Sequence, residues 1–373
     1  MHAASLPADL ITKQIRSTRL AFLISGFATA GWAPLVPFAR EHASLDEREL
    51  GLLLLCLGAG SMTAMPLAGA LVVRLGCRAV LAITSVMICL ALPVLATSGS
   101  FAVLCTALTV FGAAVGALDC AMNAQAVIVE RSAGRAMMSG FHGVFSLGGI
   151  LGAAAVSALL SAGVPLLSAT IGVVGAILIA LAVAYPHALA AAEERGPAFA
   201  LPRGMVLFLG VLCFIAFLAE GAMLDWSAVF LISRGVDPAR AGLGYALFAG
   251  AMTVGRLTGD RVVRQLGATR AFVLGALCAA SGLGLLALLA SWAAFVLIGL
   301  GCANLVPLLY SALAKQEAMP ESAAVPALTM LGYAGILAGP AAIGFVADAT
   351  SLSSALLMVA ALLLAVAASA RAV

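Results

Sequence analysis

The sequence predicts an all-α membrane protein: twelve transmembrane helices in two pseudo-symmetric six-helix bundles, with both termini in the cytoplasm. Three observations lead there. First, 64% of the 373 residues are hydrophobic and only 9% are charged, where a soluble domain carries roughly a quarter charged residues. Second, apolar stretches of about 20 residues, long enough to cross a bilayer, recur along the whole chain. Third, adding 191 to a position in the first half often returns a similar residue in the second. Gly51 pairs with Gly242, Gly76 with Gly267, Glu130 with Glu321, Gly148 with Gly339 and His142 with Tyr333. No insertion or deletion is needed between positions 51 and 149. So long a repeat is no solenoid unit; in a membrane, paired half-proteins typically enclose a central transport site.

The expected spans, in order, are 17–38, 49–73, 79–97, 101–128, 136–161, 165–185, 204–232, 240–263, 270–290, 292–314, 323–346 and 351–370. In the first, Lys13, Arg16 and Arg19 precede an apolar run, and Ala28-Thr29-Ala30 imitates a signal-peptidase site. Its removal would leave eleven spans and break the two-fold repeat, so an uncleaved first helix is expected. Between spans six and seven, Pro186 to Arg203 is charged and holds three prolines. That divides the chain into an N-terminal bundle (1–186), a cytoplasmic linker (187–203) and a C-terminal bundle (204–373).

Orientation follows from the basic residues. Of 19 Lys and Arg, only Arg40, Arg48, Arg234 and Arg240 fall on the side opposite the N-terminus, which places both termini inside. The same bias explains the net charge of +3; the cations are spread over many loops, so no nucleic-acid binding is read from them. The eight cysteines form no CxxC pair, and small apolar packing is their expected use, with no metal and no cofactor. Little sequence lies outside the spans, which excludes a soluble catalytic domain. There is no nucleotide-binding loop or nucleophile–base constellation either, so the chain is not read as an enzyme.

Small residues recur at helical spacing. Gly112, Gly116, Asp119 and Asn123 share one face of span four, span five carries Gly140, Gly143, Gly148, Gly149 and Gly152, and span eleven carries Gly332, Gly335, Gly339 and Gly344. Close helix approach is their first reading.

A charge near the bilayer centre costs about 2.5–3.5 kcal/mol on insertion scales, so it has a task or a partner. Three carboxylates fall inside spans: Asp119, Glu220 and Asp225. Glu220 lies about sixteen residues, or roughly 24 Å, into span seven. It is a candidate for proton coupling or substrate contact, the alternative being a hydrogen-bonded carboxyl that pins two helices. Asp119 and His142 lie at similar depths from their shared loop, so an Asp–His pair that relays a proton, or one that only packs two helices, is expected there. Asp225, beside Trp226, reads either as a coupling group or as an interfacial carboxylate. Asn123 and Asn304 give each half one buried amide for solute hydroxyls. Trp32 and Trp226, equivalent after a three-residue loop gap, suit stacking on a ring face or anchoring at the interface. Tyr333 is a further candidate for solute contact.

The loop after span two, Gly69-Ala-Leu-Val-Val-Arg74-Leu-Gly76-Cys-Arg78, resembles the signature of the major facilitator superfamily, with Val73 in place of its aspartate and Cys77 in place of an arginine. The loop after span eight repeats it as Gly255-Arg256-Leu-Thr-Gly259-Asp260-Arg261. The segments around Asp119–Gln125, Phe141–Gly149 and Glu220–Ser227 are similar to the fucose-permease-like branch, closest to YbjJ-type inner-membrane transporters. The resemblance implies the major facilitator fold, rocker-switch alternating access, and a cytoplasmic gate built from Arg74, Arg78, Arg256 and Asp260. An Arg256–Asp260 ion pair, four residues apart, would stand in for the lost aspartate of the first half.

The resulting expectation is a proton-coupled secondary transporter of the bacterial inner membrane, acting as a monomer on a small polar solute such as a sugar or related metabolite. Its partners are that solute, protons and the lipid bilayer. Two other readings stay open: a proton-driven exporter of drugs or metabolites, and a receptor or sensor that keeps the fold without turnover.

Overall fold

Gly76 and Gly267, 191 residues apart, adopt nearly the same unusual backbone in the computed structural model: φ 78°, ψ 161° and φ 81°, ψ 155°. That region is essentially open only to glycine. Each residue bends the chain sharply between two consecutive helices, so the repeat read from sequence is also a repeat of geometry.

The structure describes residues 7–190 and 201–370, and among these the regular elements are all helical. Span one comprises α1 (Ala8–Trp32), a 3-10 turn (Ala33–Leu35) and α2 (Val36–His42). Pro34 and Pro37 sit in the opening turns of the latter two, where a missing N–H costs nothing. Spans two and three form α3 (Glu47–Thr97), bent at Gly76. An Asp46–Glu49 capping box starts it, each side chain accepting from the other residue's N–H at 2.8 and 3.1 Å. Then follow α4 (Phe101–Ala133), α5 (Met138–Ser161), α6 (Leu166–Ala184), α7 (Gly204–Ser233), α8 (Pro238–Leu266) and α9 (Ala268–Leu289). Span ten is split into α10 (Trp292–Cys302) and α11 (Leu305–Leu313), and α12 (Glu321–Ala349) and α13 (Leu352–Ala368) end the described chain.

Every expected span therefore falls on a helix. Among the described residues nine helices are long and apolar enough to cross a membrane. One of these, Glu49–Thr97, contains two expected spans. The α8 helix is missing from the nine because Arg240, Arg256, Asp260, Arg261 and Arg264 interrupt it, and α13 because it has only 17 residues.

The chain divides into two compact units. The first holds residues up to Gly134, Val144–Leu201 and Pro320–Pro326; the second holds Arg135–Gly143, Pro202–Met319 and Ala327 onward. Part of the expected linker, 191–200, lies outside the described residues. In the first unit, Gly112 and Gly116 lie directly on the backbone of Leu57 and Ser61, where any side chain would collide. There Ser61 Oγ donates to Gly112 O at 2.8 Å. Gly148 and Gly152 of α5 likewise meet the α1 backbone at Leu23 and Phe27. The second unit repeats this contact with Gly335 of α12 on Phe214 of α7. The expected packing role of these glycines is what the structure displays.

Candidate functional site

Pro307 shapes the centre of the second unit. In a continuous helix the Ala303 carbonyl would accept from the N–H of residue 307, and proline has none. Span ten breaks at this point, between Cys302 and Leu305. The orphaned Ala303 carbonyl is taken instead by Arg256 Nε of α8, at 3.3 Å. Asn304 Nδ2 donates to Gly255 O at 3.4 Å, while its Oδ1 has no hydrogen-bond partner. Gly259 makes this seat possible, since a Cβ there would run into Asn304 Oδ1.

From the same guanidinium, Nη2 reaches α7 and contacts Glu220 Oε1 and Oε2 at 3.1 and 3.2 Å. The two side chains are 6% and 12% exposed, so this ion pair is largely removed from water. Glu220 is the seventeenth of 30 residues in α7, close to the middle of the helix. Two groups expected to serve different tasks, coupling and gating, thus form one charged unit. Tyr245 of α8 and Cys302 of α10 lie within electrostatic reach of the pair, and His142 within reach of Arg256.

Asp260, one turn beyond Arg256, accepts from the Gly140 N–H at 3.1 Å. That N–H belongs to the first turn of α5, where helix geometry leaves donors unpaired and favours a carboxylate. The ion pair of Arg256 with Glu220 is one the sequence did not point to, and Asp260 serves a helix terminus.

The two members of the expected Asp119–His142 pair fall in different compact units. Residues 135–143 pack within the second unit, where the His142 ring lies 5.7 Å from that of Tyr310. Tyr310 is buried and its hydroxyl is 2.6 Å from Thr329 Oγ1. Asp119 belongs to the first unit and is buried on α4. Among the described residues its carboxylate has no hydrogen bond or ion pair; one turn on, Asn123 Nδ2 donates to the Asp119 backbone carbonyl at 2.9 Å, leaving its buried Oδ1 without a partner.

Of the aromatic candidates, Trp32 is buried at the end of α1, and Trp226 lies over Gly344 with a buried, unpartnered Nε1. Tyr333 packs on Phe217 with ring centroids 6.1 Å apart. Asp225 is exposed. Arg74 is also exposed and makes no hydrogen bond or ion pair among the described residues. Arg78 instead fastens the chain leaving α6: Nε and Nη2 donate to Ala188 O and Pro186 O at 2.9 and 3.1 Å, and the guanidinium lies over Tyr185.

Sequence reasoning missed two features. The first is Gln125, fully buried, which donates to Thr18 Oγ1 and accepts from the Leu189 N–H, both at 3.0 Å. The second is the Arg131–Glu321 ion pair within the first unit. A signal for it was present, since Glu321 is the repeat partner of Glu130, beside Arg131.

Comparison with known proteins sets these features in a family. The model of the Major Facilitator Superfamily matches residues 19–332. The chain belongs to the Major Facilitator Superfamily. It is 54% identical over 370 residues to an uncharacterised MFS-type transporter of Yersinia pestis, covering 97% of this chain and 96% of that one. It is 30% identical to the membrane protein MosC of Rhizobium meliloti, over 92% of this chain and 86% of that one. Among solved structures, the E. coli fucose:proton symporter FucP shares the fold with a TM-score of 0.78 at 16% identity, covering 96% of this chain and 97% of the other. The human organic anion transporter TETRAN does so with a TM-score of 0.77 at 18% identity, over 97% and 99% of the two chains. As a member of the superfamily the protein is a multi-pass membrane protein and a secondary transporter rather than an enzyme.

Proposed function

We propose that this transporter is proton-coupled, resides in the inner membrane of a bacterium, and moves a small polar solute, a sugar or related metabolite, by rocker-switch alternating access. The observation that carries the reading is the Glu220–Arg256 ion pair, buried midway along α7 and seated on the broken helix at Ala303. An intramembrane carboxylate that trades its cationic partner for a proton has two states of different charge, which a proton gradient can bias. Asp119, isolated in the first unit, is the second candidate for a proton, with His142 and Asp225 in supporting positions. Asn123, Asn304, Trp32, Trp226 and Tyr333 supply the hydrogen-bonding and ring surfaces a hydroxylated solute needs. Arg74, Arg78 and Asp260 retain the gating role that the resemblance implies, while Arg256 moves to coupling. The bundle–linker–bundle division at 187–203 and function as a monomer complete the proposal. Bacterial relatives favour the inner membrane, and the fold neighbour FucP is a fucose:proton symporter.

The test is uptake by proteoliposomes under an imposed pH gradient, screened over sugars and their derivatives. Wild-type protein should accumulate a solute only with the gradient, and Glu220→Gln should abolish accumulation while leaving downhill exchange. Equal accumulation by Glu220→Gln, or accumulation that ignores the gradient, overturns the proposal.

A further inference from the structure

We infer that Arg256 is the receptor for an anionic group on the solute, and that Glu220 occupies that receptor when no solute is bound. The inference deepens the proposed function and rests on its reading of Glu220 as a coupling group.

Arg256 is buried on α8, the helix of the expected eighth span, and a buried cation is retained for a partner or a task. Its Nη2 is shared between both carboxylate oxygens of Glu220, at 3.1 and 3.2 Å. Beside it, Asn304 offers an Oδ1 without a partner at a break in the helix. Irregular backbone and an unsatisfied acceptor next to a buried cation are the features of a ligand seat in a membrane protein. A solute with one carboxylate and adjacent hydroxyls matches both: the carboxylate to Arg256, a hydroxyl donating to Asn304.

The exchange balances in charge and atoms. The Glu220 carboxylate takes one proton and leaves Arg256 as a neutral acid; the solute carboxylate takes its place, so solute anion and proton enter together with no net charge. Arg256 also faces His142 from α5, and Glu220 faces Tyr245 from α8 and Cys302 from α10, with Asp225 further along α7 within reach of Tyr245. None of these is a second buried cation that could replace Arg256.

The experiment uses full-length protein in detergent and two matched probes, gluconate and its neutral counterpart sorbitol, extended to galacturonate and lactate. Calorimetry in two buffers of different ionisation enthalpy counts the protons taken up. Acid probes should bind with uptake of about one proton at neutral pH, and their affinity should rise up to tenfold per pH unit lowered, by linkage. Sorbitol should not bind. Glu220→Gln should bind the acids with no proton uptake and no pH dependence, and Arg256→Gln should lose binding. If Glu220→Gln fails to fold, the proton count on wild-type protein decides. Binding of sorbitol as tightly as gluconate, acid binding without proton uptake, or no binding of any acid probe overturns the inference. Gradient-driven uptake of a neutral solute would sink this inference and leave the proposed function standing. Acid binding with proton uptake but no gradient-driven transport would do the reverse.

Discussion

Neutralising one member of the Glu220–Arg256 pair should damage the protein more than neutralising both. At 3.1 Å, with an effective dielectric of about 20, the attraction is worth about 5 kcal/mol. Both ions have left water to gain it, so most of this offsets desolvation. Arg256→Gln leaves Glu220 at 12% exposure without a countercharge, and Glu220→Gln strands Arg256 at 6%. Each single change should cost about 3–5 kcal/mol, as for other broken buried pairs. The double change to Gln removes both charges and keeps hydrogen-bonding groups of similar shape, so it should cost about 1 kcal/mol or less. The assay is reversible unfolding of the purified protein in mixed micelles of rising SDS fraction, followed by helical circular dichroism. If the double variant loses the sum of the single losses to within about 0.5 kcal/mol, the two charges do not interact in the folded protein and the reasoning fails.

Three further outcomes follow from the same geometry. Gly76→Ala and Gly267→Ala should each lower stability by about 1–3 kcal/mol, because alanine must adopt a glycine-only backbone; Gly175→Ala, with open space around it in α6, should be neutral or stabilising by up to about 1 kcal/mol in the same unfolding assay. Gln125→Leu strands the Leu189 N–H, which donates to Gln125 at 3.0 Å, at about 1–3 kcal/mol, while the Thr18 hydroxyl keeps its bond to Gln14 O; it should speed tryptic cleavage of the segment after α6 several-fold, and unchanged cleavage would mean that Gln125 does not hold it. Asp260→Ala removes the acceptor of the Gly140 N–H and should raise maleimide labelling of a cysteine placed at buried Ser139, whereas Arg74→Ala should leave it unchanged.

Helix positions were legible because a bilayer imposes a length and an apolar composition on any stretch that crosses it, and the glycine faces were legible because helical spacing fixes them. Side-chain partners were not. Glu220 and Arg256 are 36 residues apart on different helices, and no local pattern joins them. A signal was nevertheless available: Arg256 lies well inside its own expected span, so the cost that drew attention to three carboxylates within spans applied to it equally. Its place in a gate-like motif drew the reading toward Asp260. His142 was assigned to Asp119 from depth alone, and depth does not say which way a helix end packs. The break at Ala303 was hidden in an unbroken apolar run; only Pro307, four residues on, announces it.

The bends at Gly76 and Gly267 carry a consequence for helical phase. Each joins two helices through a single residue. Adding or deleting one residue there would turn the following helix by about 100° about its axis. In a helix that shows one side to lipid and another to its neighbours, such a turn exchanges the two. Length is therefore fixed at these two points as strictly as residue type, and a tag or insertion that a longer connection would absorb should misorient α9 or the second part of α3 from its first turn onward.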